Sequence, residues 1–91
     1  MKIEAIKIQP YTIIKIFEKH NVLQEEVYQV LKEDKPQFRR AGGDQYIVIG
    51  LSKNRYVTIF FTYDQSTKEA EIITAYPSDK KQIKAYNKVE K

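Results

Sequence analysis

Apolar residues in this chain change their period from 3.6 to 2 near residue 36, and the change separates two N-terminal helices from a sheet. From Tyr11 onward, Ile13, Ile14, Ile16 and Phe17 recur at helical spacing. Pro10 suits the first turn of that helix, where its missing N–H would have no partner in any case. Lys19-His20-Asn21-Val22 is the next punctuation, and asparagine tolerates the left-handed conformation that ends many helices, which places Asn21 at the C′ position. A second helix follows, with Leu23, Val27, Val30 and Leu31 on one stripe and Glu25, Glu26 and Gln29 on the other. Glu25 and Glu26 lie in its first turn, where the helix dipole favours negative charge, and Pro36 marks its end. Residues 2–8 alternate imperfectly and read as a short strand that Pro10 stops.

Beyond Pro36 the period is two. Gln37-Phe38-Arg39-Arg40 reads as a strand, and Ala41-Gly42-Gly43-Asp44 as a turn whose glycines supply positive φ without steric cost. Gln45 to Leu51 is apolar on both faces, as a central strand must be. Ser52-Lys53-Asn54-Arg55 is a hairpin turn with Arg55 at its tip, and Tyr56 to Tyr63 is the second central strand. Asp64 to Lys68 turns again and Glu69 to Tyr76 returns, so these strands form a meander of antiparallel neighbours. Pro77-Ser78-Asp79 opens the last helix with Ser78 as its N-cap. Ile83, Tyr86 and Val89 dock one edge of it, while Lys80, Lys84, Lys88 and Lys91 form a solvent-facing stripe. The fold class is α+β: two N-terminal helices, an antiparallel meander sheet of three to five strands and a basic C-terminal helix, in one domain spanning 1–91.

Composition narrows the chemistry. With 91 residues there is room for one hydrophobic core, and with no cysteine there is no disulfide scaffold, thiolate metal site or cysteine nucleophile. No apolar run approaches the roughly 18 residues of a membrane span. Met1-Lys2-Ile3-Glu4 carries charge inside its apolar stretch and has no secretory core, so a cytoplasmic location and no membrane partner are expected. The net charge is +4, and its distribution matters more than its size. Glu4, Glu18, Glu25, Glu26, Glu33 and Asp34 sit in about the first third, while Lys80, Lys81, Lys84, Lys88 and Lys91 crowd the last fourteen residues against only Asp79 and Glu90. No set of His, Asp and Glu at metal-ligand spacing, Gly-rich phosphate loop, carboxylate pair or nucleophile motif stands out, so no cofactor and no metal are expected. His20 is the only histidine, which rules out a His–His acid/base pair and suits a capping or packing role at a helix end. Tyr46, Tyr56, Tyr63 and Tyr76 on strands suit base stacking or simply strand packing. Arg39 and Arg40 beside the Gly-rich turn suit either phosphate binding or the guarding of an edge strand.

Helix, helix, four strands and helix is also the order of the BrnT-type toxins of the RelE/ParE superfamily. Lys19-His20-Asn21-Val22 with Glu26-Val27 resembles that family's Lys-His-Gly-Val segment and acidic second helix. Ile49-Gly50-Leu51-Ser52 with Arg55-Tyr56-Val57 resembles its Gly-Arg-Ser…Gly-Arg-Leu hairpin. Ile72-Ile73-Thr74-Ala75 resembles its Ile-Ile-Ser-Ala strand end, and the basic last helix with Tyr86 resembles its Arg-rich terminus. The resemblance runs from about Ile14 to Tyr86. It implies a metal-independent endoribonuclease of a bacterial type II toxin–antitoxin system, held in check by a cognate antitoxin protein; a ribbon-helix-helix partner encoded alongside would fit it. Two departures bear on that activity. The family places an arginine straight after the Ile-Ile-Ser-Ala strand where this chain has Tyr76, and a phenol does not replace a permanently charged, bidentate clamp. The terminal helix is rich in lysine rather than arginine.

Cleavage of RNA through its own 2′-hydroxyl needs a proton acceptor, fixed positive charge for the phosphorane oxygens and a proton for the leaving oxygen. On this resemblance the catalytic candidates are Arg55, Tyr76 and Lys80, and the RNA-binding candidates are Arg39, Arg40, Arg55, Tyr63, Lys80, Lys84 and Lys88. The alternative is a non-enzymatic descendant of the fold that binds a protein partner or nucleic acid. Tyr76 in the arginine position favours it, whereas the retained Arg55 and the basic helix favour the enzyme.

Overall fold

The computed structural model describes residues 2–32, 37–52 and 55–90 and runs β1 (Ala5–Lys7), α1 (Pro10–His20), α2 (Gln24–Leu31), β2 (Gln37–Gly42), β3 (Gln45–Ser52), β4 (Arg55–Asp64), β5 (Glu69–Pro77) and α3 (Lys80–Glu90). The expectations placed on Pro36, Lys53-Asn54 and Lys91 fall outside the described residues, as do the side chains of Tyr86 and Val89. Among the described residues, no helix is long and apolar enough to cross a membrane.

The strands form one sheet in the order β1-β5-β4-β3-β2. β2 to β5 are antiparallel neighbours joined by short turns, as the period and the turn residues predict. β1 departs from the antiparallel expectation, because it pairs with β5 in parallel, Ala5 opposite Glu69 and Lys7 opposite Glu71. The sheet is therefore mixed. Two helices separate β1 from β2, so no hairpin dictates its direction, and it is free to lie along the far edge. A bulge at Phe60/Phe61 leaves Ile73 without a partner and keeps Ile72 and Ala75 on one buried face.

Both N-terminal helices pack on that face. Ile16, Val22, Val27, Val30 and Leu31 meet Val48, Val57, Ile59, Phe61, Ala70, Ile72 and Ala75 in one buried cluster. Each fully buried aliphatic side chain contributes about 1.5–3 kcal/mol, so this cluster holds the helices to the sheet. The α1 apolar set divides between core and solvent. Ile16 is fully buried, but Ile14 is 57% exposed, since two helical steps carry it about 200° around the axis from Ile16. Asn21 adopts the predicted left-handed conformation (φ 56°, ψ 36°), and the N–H groups of Asn21 and Val22 cap the carbonyls of Phe17 and Ile16.

α2 crosses β3 closely at Gly50, where an added Cβ would lie 2.8 Å from Val30 Cγ1. Val30 is β-branched and fully buried, so it has little room to yield. Gly50→Ala is accordingly expected to destabilise the fold by about 1–3 kcal/mol through overpacking, read as a lower urea midpoint at unchanged m.

The start of α3 corrects the predicted cap. Asp79 Oδ1 accepts the Gln82 N–H at 2.7 Å while Gln82 Oε1 accepts the Asp79 N–H at 3.0 Å, so Asp79 and Gln82 form the reciprocal box. The Ser78 hydroxyl turns inward instead and lies 2.7 Å from Thr58 Oγ1.

Candidate functional site

The residues singled out from the sequence fall at opposite ends of the sheet. Arg55 opens β4 and Tyr63 lies eight residues along it, about 26 Å away in an extended strand. At the Arg55 end the corner after α1, the N-terminus of α2, the close of β5 and the start of α3 converge. At the Tyr63 end lie the β2–β3 turn and the β4–β5 turn.

Arg55 is not the tip of a turn. Pairing with Ser52 makes it the first residue of β4, on the face that α2 covers. Its Nε donates to Glu26 Oε2 at 2.8 Å, and its Nη2 donates to Glu26 Oε1 at 2.6 Å and to the Asn21 carbonyl at 2.7 Å. Glu26 is only 6% exposed, which overturns its placement on a polar stripe, while Leu23, assigned to the apolar stripe, is 42% exposed. The Leu23 N–H at 3.0 Å and the Ser52 hydroxyl at 3.1 Å complete the carboxylate's partners. Ser52 Oγ also lies 3.1 Å from Gln29 Oε1; a hydroxyl has one proton to give, and the carboxylate, which can only accept, is the stronger claimant. The Arg55 hydrogen bonds dominate in holding the Glu26 carboxyl down at about 2, aided by those from Leu23 and Ser52 and opposed by burial. The same bond holds Arg55 above its ordinary value.

Tyr76 lies on the opposite face of the sheet, paired with Thr58. Gln82 reaches down from α3 between them. Its Oε1 is fixed by the Asp79 N–H, a donor only, so its amide nitrogen must face Tyr76, where Nε2 donates to the phenol oxygen at 3.3 Å. Thr58 Oγ1 donates to Gln82 Oε1 at 3.1 Å, and its single proton is thereby used, so Ser78 donates to Thr58. The His20 ring, half-buried at the end of α1, stands 5.9 Å from the Tyr76 ring at an interplanar angle of 52°. His20 and Asn21 thus tie the two faces together, the first touching Tyr76 and the second holding Arg55. Lys80, Lys84 and Lys88 are exposed along α3, the solvent stripe that their spacing predicts.

At the other end, Arg39 and Arg40 are exposed on β2. Arg40 Nε donates to the Gly43 carbonyl at 3.0 Å. An open cleft of about 530 Å³ is lined there by Arg40, Asp44, Tyr63, Asp64, Glu69 and Glu71, among others. The carboxylates outnumber the guanidinium, which makes this cleft a poor seat for a polyanion. Tyr63 packs edge-on against Tyr46 with ring centroids 6.1 Å apart and donates its hydroxyl to the Lys2 carbonyl. Tyr46 in turn stacks on Phe61, so these two tyrosines serve the core side of the sheet. Among the described residues, no three His, Cys, Asp or Glu side chains gather as metal ligands.

Sequence reasoning missed Glu26, Ser52 and the Asn21 carbonyl. One signal was present: Glu26 stands four residues before Val30 and so shares the buried stripe of α2. A carboxylate on a buried stripe needs a cation, and Arg55 supplies it from 29 positions away.

By sequence the chain matches no protein-family model and no curated protein. By structure it is similar to the Brucella abortus ribonuclease toxin BrnT, with a TM-score of 0.67 and 11% identity, over 84% of this chain and 97% of that one. The fold is BrnT-like.

Proposed function

We propose that this chain is a toxin-like domain of the BrnT type that binds single-stranded RNA at the α3 end of the sheet and cleaves it without a metal. On this reading it belongs with the RelE/ParE toxins and is masked by an antitoxin protein. The observation that carries the reading is a fold shared with nearly the whole of a ribonuclease toxin. The chain's charge supports it, since Lys80, Lys84 and Lys88 line one exposed face of the helix whose Gln82 donates to Tyr76. Lys80, exposed in the first turn of α3, is on this reading the cation that stabilises the developing phosphorane. Arg55 acts as a positioning residue, because its Nε and Nη2 already serve Glu26 and Asn21. Arg39, Arg40 and Tyr63 lie outside this site.

The commitment of Arg55 also favours a second reading, a non-enzymatic domain that binds RNA or a protein partner with the same basic helix. The cleaving reading and the RNA-binding form of the second both predict that Lys80→Glu/Lys84→Glu weakens binding of a fluorescent single-stranded RNA by well over tenfold. They also predict a salt dependence shallower by at least about 1.4 in log–log slope, roughly 0.7 per lysine. Unchanged affinity in a folded variant would remove the α3 face from the site. Cleavage in EDTA separates the enzyme from the binding domain.

A further inference from the structure

Among the polar groups at the α3 end of the sheet, His20 stands apart. Arg55, Glu26, Ser52, Thr58, Ser78, Gln82 and Tyr76 all hold hydrogen bonds there. The two ring nitrogens of His20 have no hydrogen-bond partner among the described residues. The ring itself packs against an aromatic partner. It is half-buried beside Tyr76, on a helix end fixed by the left-handed Asn21, whose carbonyl is clamped by Arg55. A half-buried imidazole whose nitrogens are unspent among the described residues is available for proton transfer.

Tyr76 complements it. Because Gln82 donates to the phenol oxygen, the phenol's own proton is free to be given elsewhere. Resting on the reading that this domain cleaves RNA, we infer that His20 and Tyr76 form its acid–base pair. A His20 nitrogen takes the proton of a ribose 2′-hydroxyl as that oxygen bonds to the adjacent phosphorus. The bond from phosphorus to O5′ breaks, its electron pair stays on O5′, and the Tyr76 phenol supplies the proton. The products are a 2′,3′-cyclic phosphate and a 5′-hydroxyl, and solvent returns both residues to their starting forms. No metal, oxidant or second substrate enters the balance. Arg55 positions the pair by fixing the corner that carries His20.

The test uses the full chain, a mixed-sequence single-stranded RNA oligonucleotide in EDTA, and the same oligonucleotide fully 2′-O-methylated as an uncleavable binding probe. His20→Ala is expected to lose at least about a hundredfold in cleavage rate, to keep its melting temperature and its affinity for the methylated probe within twofold, and to regain part of the rate with added imidazole. Undiminished cleavage by His20→Ala would overturn the acid–base assignment and leave RNA cleavage standing. A loss that imidazole does not restore, or one accompanied by a lower melting temperature or weaker binding, would reduce His20 to a packing partner of Tyr76 and also overturn it. An unaltered protein that leaves the RNA intact would overturn the cleavage reading and the assignment together.

Discussion

Arg55→Ala is expected to cost the fold about 3–5 kcal/mol, a large part of the 5–15 kcal/mol that holds a small domain together. Truncation leaves a nearly inaccessible carboxylate with only the Leu23 N–H and the Ser52 hydroxyl as partners, and it frees the Asn21 carbonyl at the corner after α1. The Arg55 side chain is 33% exposed, so water entering the vacated space pulls the cost toward the lower figure. Removing both charges is a different experiment. Glu26→Met/Arg55→Met leaves no unpaired ion, and its stability is expected to lie well above that of either single truncation. Urea denaturation of the unaltered chain, Glu26→Met, Arg55→Met and the double variant gives the coupling directly. A loss below about 1 kcal/mol in Arg55→Ala would mean that the pair is solvated and the buried carboxylate unimportant. The consequence for function is practical: a dead Arg55→Ala enzyme reports lost folding as readily as lost phosphate binding.

Acid titrates the same pair. Glu26 is held at about 2 in the folded chain against an ordinary 4.5, so the native state binds its proton less readily than the unfolded state. A group depressed in this sense contributes stability that is fully present above about pH 4.5 and disappears as pH falls toward 2. The distance between those two values corresponds to about 3 kcal/mol, with the Arg55 hydrogen bonds as its largest cause. Melting temperature is therefore expected to fall between pH 5 and pH 2.5, and Glu26→Gln, already destabilised at neutral pH, should show a much shallower fall over that window. Parallel profiles for the two proteins would assign the acid sensitivity to other carboxylates.

The features legible in the sequence are those carried by neighbouring residues. Period two against period 3.6 separates β3, β4 and β5 from α1 and α2, the Gly42-Gly43 pair marks its turn, and Asn21 announces the end of its helix. What depended on distant partners was not legible. The parallel pairing of β1 with β5 joins positions more than sixty residues apart, and no local pattern specifies it. Glu26 looks like a first-turn acid because the dipole explains it locally, and only the arrival of β4 shows that Arg55 needs it. Ser78 and Asp79 are both good caps. The choice fell to Asp79 because Ser78 has Thr58 to bind, a contact twenty residues long. The candidate site divides in the same way: the α3 lysines were visible as a stripe, but nothing local separated them from Arg39, Arg40 and Tyr63 at the far end of the sheet.

The central claim is tested most directly by incubating the purified chain with total cellular RNA in EDTA, beside Lys80→Glu/Lys84→Glu at matched fold by circular dichroism. The account predicts discrete RNA fragments from the unaltered protein and at least tenfold less cleavage from the variant. Intact RNA from a folded protein would contradict it and leave a BrnT-like fold serving as a binding domain.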